Sequence, residues 1–185
     1  MTCSIITPWL HLKKVPVRSE VLSEHAVRLY FDYSMFHILT ASDYMLILSA
    51  ATTYPGHFTR LSTNPLFEWH SFAGIGAPGE KGYSVIISRA GDWTSKQIEE
   101  PPSNIWIRGV PTYGVMRVHT LFRRVLLVGT GSGIAPLTPV LLAKRVPMRL
   151  LWTAPNLRKT FGDKLVNTIL EADPDAVIYG TAILF

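Results

Sequence analysis

The chain has 185 residues, 48% of them apolar and 17% charged, a balance that gives a globular protein with a buried core and excludes a disordered one. Its net charge of +5 comes from scattered basic pairs, Lys13-Lys14, Arg123-Arg124, Lys144-Arg145 and Arg158-Lys159, which read as solvated faces or anion contacts rather than a nucleic-acid stripe. Cys3 is the only cysteine and no two histidines stand in HxxxH or HxH spacing, so an internal disulfide is excluded and a metal centre has no support.

In chain order, "LKKVPVRSEVL" (12–22) and "HAVRLYFDY" (25–33) alternate apolar and polar residues as half-buried strands do. An apolar run of no clear period, 34–54, then interrupts the series. "HFTRLS" (57–62), "GYSVIIS" (82–88) and "NIWIRGV" (104–110) resume it, separated by Pro and Gly turns. Five or six short strands suit a small antiparallel barrel. From Leu121 the pattern changes: "RRVLLVG" is apolar throughout, a glycine loop opens into "IAPLTPVLLAKR", and "MRLLWT" (148–153) is a second strand. A helix over 160–173 is predicted from a Thr160/Asp163 capping box, with Phe161, Leu165, Ile169 and Leu170 on one face. "DAVIYG" gives a third strand, so a parallel sheet follows the barrel. The expected division is 1–120 for the barrel, with 34–54 as an insertion, and 121–185 for the α/β part.

Two stretches carry chemistry. In Gly129-Thr130-Gly131-Ser132-Gly133, missing side chains let backbone N–H groups approach a phosphate, and the helix beyond adds its positive N-terminal end. Pro136 falls in the first helical turn, where an absent N–H costs nothing. The spacing is GxGxG, and a tight strand-to-helix turn with no ligand has the same signature. The second stretch is "PLFEWHSFAGIG" (65–76), which puts an acid, a tryptophan and a histidine side by side on a half-buried strand.

Four segments together resemble the ferredoxin-NADP reductase superfamily, in its ferric reductase and NADPH oxidase branch of fungal membrane flavoproteins. "EWHSFA" (68–73) resembles the branch's flavin motif, "YSVIISRAGDWT" (83–94) its strand ending in GDWT, "GVPTYG" (109–114) its glycine-proline-tyrosine-glycine turn, and "VGTGSGIAPLTPVL" (128–141) its nucleotide loop. The resemblance implies an antiparallel six-stranded FAD-type barrel followed by a partial Rossmann-like parallel sheet. It implies FAD and NAD(P)H as cofactors, and a module passing electrons from NAD(P)H to FAD and onward to an unknown acceptor.

The residues it carries over to the flavin are His70, Ser71, Phe72 and Ala73, with Ser71 standing where the family has proline and Ala73 where it has a hydroxyl residue. The family's arginine three residues before the glycine of GDWT is Ser88 here, and Arg89 is displaced by one, onto the other face of a strand. Arg60 and Ser62 are the substitutes on the preceding strand, while Asp92 and Trp93 read as shaping a corner. Gly129, Thr130, Gly131, Ser132, Gly133 and Pro136 would hold the nucleotide, with Thr153 and Arg158 beside its ribose. Arg158 and Lys159 read equally as a 2′-phosphate contact or as solvated charges.

The resemblance stops at Tyr33-Ser34-Met35 and at Tyr179-Gly180-Thr181, junctions compatible with translated introns. It also implies further strands, a Cys-Gly motif and a membrane part that these residues do not match, hence a truncated chain of impaired activity. No apolar run nears the ~18 residues of a membrane span, so a cytoplasmic chain with membrane-associated relatives is expected. A non-catalytic fragment binding a nucleotide or a partner is the alternative, and nucleic acid is not an expected partner.

Overall fold

A computed structural model describes residues 9, 11–32, 55–76, 82–108 and 112–181. The 34–54 run, the Tyr33-Ser34-Met35 junction and the first half of "GVPTYG" lie outside the described residues. The first part is antiparallel throughout: β1 Lys13–Pro16, β2 Arg18–Ser23, β3 Ala26–Phe31, β4 His57–Ser62, β5 His70–Ala73, β6 Tyr83–Ser88, β7 Asn104–Ile107 and β8 Thr112–Tyr113. These form a sheet ordered β1-β7-β4-β5, with β8 on β4, and a second ordered β2-β3-β6. An isolated bridge between Ile75 and Ser84, closed by two 2.7 Å backbone bonds, links the sheets. Leu29, Phe31, Leu61, Val85, Ile87, Ile105 and Ile107 fill the barrel between them, all at most 2% exposed.

The run 12–22 is two strands rather than one. Pro16 ends β1, since it has no N–H to give a ladder, and Val17 instead donates to the Ser103 carbonyl at 2.9 Å before β2 joins the other sheet. A helix, α1 Asp92–Glu99, stands where the GDWT segment read as a strand end and a corner. Thr94 builds its start: the hydroxyl oxygen accepts from the Ala90 N–H at 2.8 Å and the Gly91 N–H at 3.0 Å. Trp93 and Ile98 bury its inner face in the barrel core.

The second part is a parallel sheet, β9 Val125–Thr130, β10 Met148–Pro155 and β11 Val177–Thr181, ordered β11-β10-β9. A 3-10 turn, Val115–Leu121, connects it to the barrel. Helix α2 Ile134–Ala143 packs Leu137, Val140 and Leu141 against Leu127, Leu150 and Trp152. The single helix expected over 160–173 is broken. Gly162, at φ +79°, separates α3 Leu157–Phe161 from α4 Asp163–Ala172, and Thr160 donates its hydroxyl to the Pro155 carbonyl instead of capping. Buried Asp173 fixes the far end of α4, accepting from the Leu150 N–H at 2.9 Å and from Arg149 at 2.8 Å.

Among the described residues, only one face of this sheet is covered. On the other, Leu126, Val128, Val177 and Tyr179 are all more than half exposed. The two parts touch through Ser23, whose hydroxyl donates to the Thr160 carbonyl at 2.6 Å. Among the described residues, no helix is long and apolar enough to cross a membrane.

Candidate functional site

The two halves meet at a cleft of about 390 Å³, at the small end of the ~300–1,000 Å³ of ligand pockets. Ser71, Phe72 and Ala73 of β5 form one wall with Phe58 of β4. Ser132, Ala135 and Pro136, from the glycine loop and the start of α2, line the same cleft from the second half of the chain. Gly56 and His57 beside Phe58, Ile86 and Ser88 of β6, Ala90, Thr94 of α1 and Gly114 to Met116 complete the lining. No acid, lysine or arginine is part of it.

The β5 wall follows from its register. Phe58 pairs with Ala73, Thr59 with Phe72, Arg60 with Ser71 and Leu61 with His70. His70 is turned out of the cleft: its ring stacks on Trp93 at 4.1 Å, and Nε2 lies 3.1 Å from Glu68 Oε2. Trp69 donates to the Pro65 carbonyl at 2.9 Å and meets Trp9 edge to face. His70 therefore braces the wall from the barrel side through Trp93, while Trp69 packs on Trp9. Ser62 is fully buried and accepts from the Asn64 N–H at 2.9 Å, in a turn away from the lining.

At the β6–α1 corner the lining residue is Ser88. Its hydroxyl oxygen is buried and has no partner among the described residues. Arg89 points elsewhere, donating to the Glu24 carbonyl at 3.1 Å and pairing with Glu99 at 2.8 Å. The one-residue displacement noted in the sequence has the effect that strand alternation demands.

The glycine loop has a different character. Gly129 is a packing glycine, because a Cβ there would come within 2.9 Å of Leu137 Cδ1. Gly131 has φ +51° and Gly133 is unobstructed; added Cβ atoms at either would meet nothing within 4 Å. Trp152 Nε1 donates to the Gly131 carbonyl at 3.0 Å and so orients the loop from the core. Thr130 and Thr153 are register partners at the carboxyl edge of the sheet. Arg158, near that edge, donates to Asp163 at 2.7 Å and to Asn167 at 3.1 Å, which ties its guanidinium to α4.

One residue that the sequence did not single out belongs at this site. Arg108, just beyond β7, lies beside Arg60: its N–H reaches the Arg60 carbonyl at 3.4 Å. Its guanidinium lies 4.5 Å from the Trp69 ring centre and 4.8 Å from that of Trp9, two rings set at right angles to each other. Burial, and then the charge of Arg60, push its pKa below the ordinary arginine value.

A family model described as "Adenylate-forming reductase 03009, C-terminal domain" matches residues 115–184. The chain is 55% identical over 181 residues to adenylate-forming reductase 03009 of Coprinopsis cinerea; the match takes in 98% of this chain and 16% of that protein, so the chain spans about a sixth of its relative. It is 32% identical over 90 residues to NADPH oxidase 1 of Mus musculus, across 45% of this chain and 15% of that one. Among solved structures, a ferredoxin-NADP+ reductase from Neisseria gonorrhoeae with bound FAD and NADP superposes with a TM-score of 0.62 at 14% identity, across 91% of this chain and 67% of that one.

Proposed function

We propose, for a chain that folds as the ferredoxin-NADP reductase superfamily does, that the cleft seats a flavin ring and the glycine loop the phosphates of a nicotinamide nucleotide, within an electron-transfer module. What supports this most is that two motifs some sixty residues apart, "HSFA" and "GTGSGIAP", both contribute residues to the lining of one cavity. A bound flavin would supply the chemistry, taking two electrons from the nicotinamide and releasing them to an acceptor.

The residues of the cleft suit the ring. Phe58, Phe72 and Ile86 give apolar contact, Ala73 leaves room beside them, and the unpartnered Ser88 hydroxyl offers a hydrogen bond to a ring heteroatom. Across the cleft, Ser132 and the open loop at Gly131 and Gly133 offer neutral donors, with the N-terminus of α2 favouring an anion. The task of these residues is to position the ring and to exclude water.

The 185 residues taken alone suit binding better than turnover. Nucleotides in open parallel sheets sit where the strand order reverses, and the described order β11-β10-β9 runs sequentially with no reversal. Hydride transfer needs reacting atoms held at ~3–3.5 Å, and the described strands supply no switch point to hold a nicotinamide there. The 185-residue chain, purified and supplied with FAD, should take up flavin weakly, seen as a shift in its visible absorbance. With NADPH and an artificial acceptor it should show no steady-state oxidation. Turnover matching that of a reductase with a complete nucleotide domain would contradict the second statement, and absence of any flavin uptake the first. The uncovered face at Leu126, Val128, Val177 and Tyr179 favours a second reading, a fragment that binds nucleotide and a partner without turnover. NADPH binding with no flavin binding would select it.

A further inference from the structure

The cleft as described has a charge problem. A flavin nucleotide brings phosphate, yet no lysine or arginine lines the cavity. The corner beneath Ser88 does not provide a cradle either. The Ala90 and Gly91 amides at the head of α1 already donate to the Thr94 hydroxyl, Asp92 puts a negative charge in the first turn, and Arg89 is held by Glu99.

At the other rim the situation is reversed. Arg60 sits between buried Thr59 and Leu61, and Arg108 follows buried Ile107, so alternation turns both outward on the face that carries Ser71. Arg60 holds its guanidinium 5.3 Å from the centre of the Phe58 ring, a wall of the cleft. Among the described residues neither arginine has a carboxylate partner, and Arg108 Nε is buried with no acceptor. Two like charges placed side by side, one of them partly desolvated and without a counter-ion, are costly unless an anion joins them. The Trp9 and Trp69 rings, perpendicular to each other, pack against the Arg108 guanidinium from two adjacent sides and fix it in place beside Arg60, where its unpartnered Nε–H can donate to an anion.

We infer that Arg60 and Arg108 together hold the phosphate of a flavin nucleotide whose ring lies in the cleft. The assignment rests on the flavin reading above and adds to it a phosphate site on β4 and β7 in place of the β6–α1 corner.

The test is a fluorescence-quenching titration of the 185-residue chain with riboflavin, FMN and FAD at low and high salt. FMN and FAD should bind about tenfold or more tightly than riboflavin, an advantage that shrinks with added salt. Arg108→Gln should remove that advantage while leaving riboflavin affinity within about twofold, and Arg108→Lys should retain part of it. Riboflavin affinity and the thermal midpoint of Arg108→Gln separate loss of the site from loss of the fold. Arg89→Gln should change nothing. Equal affinity of the parent chain for all three flavins would overturn the inference while sparing the flavin site, as would an advantage abolished by Arg89→Gln and kept by Arg108→Gln. Failure of all three to bind would sink the proposed function and, with it, the ligand named here.

Discussion

Two strand-to-helix corners face the same cleft, and they differ in what they leave free. At β6–α1 the chain has used its own donors: Thr94 takes two amides, and Glu99 and the Glu24 carbonyl take Arg89. At β9–α2 the glycines at 131 and 133 leave open space, and Trp152 holds the loop by a carbonyl rather than by its N–H groups. Both corners matched a nucleotide-binding motif in sequence. Only the second leaves open space at its glycines. The lesson is that a motif marks where a phosphate would fit, and the hydrogen-bond ledger around it decides whether anything remains to hold one.

The comparison can be broken, the largest effect first. Gly131→Val puts a β-branched residue at φ +51°, a conformation costing ~1–3 kcal/mol, and fills the loop. NADPH affinity, followed by isothermal titration, should fall by tenfold or more on the ~1.4 kcal/mol-per-decade scale, with flavin affinity unchanged. An unaffected NADPH titration would mean that the loop is only a turn. Trp152→Phe keeps most of the buried ring and removes the N–H that fixes the Gly131 carbonyl. It should cost ~1–3 kcal/mol in denaturant unfolding and weaken NADPH several-fold. Thr94→Val should act least, losing a helix cap worth ~1 kcal/mol and, since Thr94 lines the cleft, weakening FAD no more than it weakens riboflavin. A loss of FAD affinity in Thr94→Val that riboflavin does not share would move the phosphate back to the β6–α1 corner.

Much of the fold was legible because burial follows the sequence pattern closely. Tyr83–Ser88 and Ala26–Phe31 alternate or run apolar as they pack, and the change of period near Leu121 falls in the 3-10 turn between antiparallel and parallel sheets. What was not legible depended on single residues. Pro16 divides one apparent strand between two sheets, and Gly162 cuts a helix whose Thr160 cap looked sound. Helix α1 escaped because only Trp93 and Ile98 mark its apolar face, too few to set a helical period. In the site, the Ser71–Ala73 wall and the Ser132–Pro136 wall could be read from motif spacing. Arg108 could not. An arginine beside a glycine-proline turn carries no spacing signature, and its meaning comes from Arg60, Trp9 and Trp69, brought in by separate segments.

The claim on which everything else depends is that one cleft, between β5 and the glycine loop, receives a flavin ring. Ala73 lines that cleft on the face it shares with Phe58, so a tryptophan there fills the space while leaving the ladder hydrogen bonds of β5 in place. The decisive measurement is a visible-absorbance titration of FAD into the 185-residue chain and its Ala73→Trp variant, with circular dichroism to establish that both are folded. The account predicts a flavin spectral shift with the parent chain and none with the folded variant. An equal shift in both would put the flavin somewhere else, and the cleft described here would not be its site.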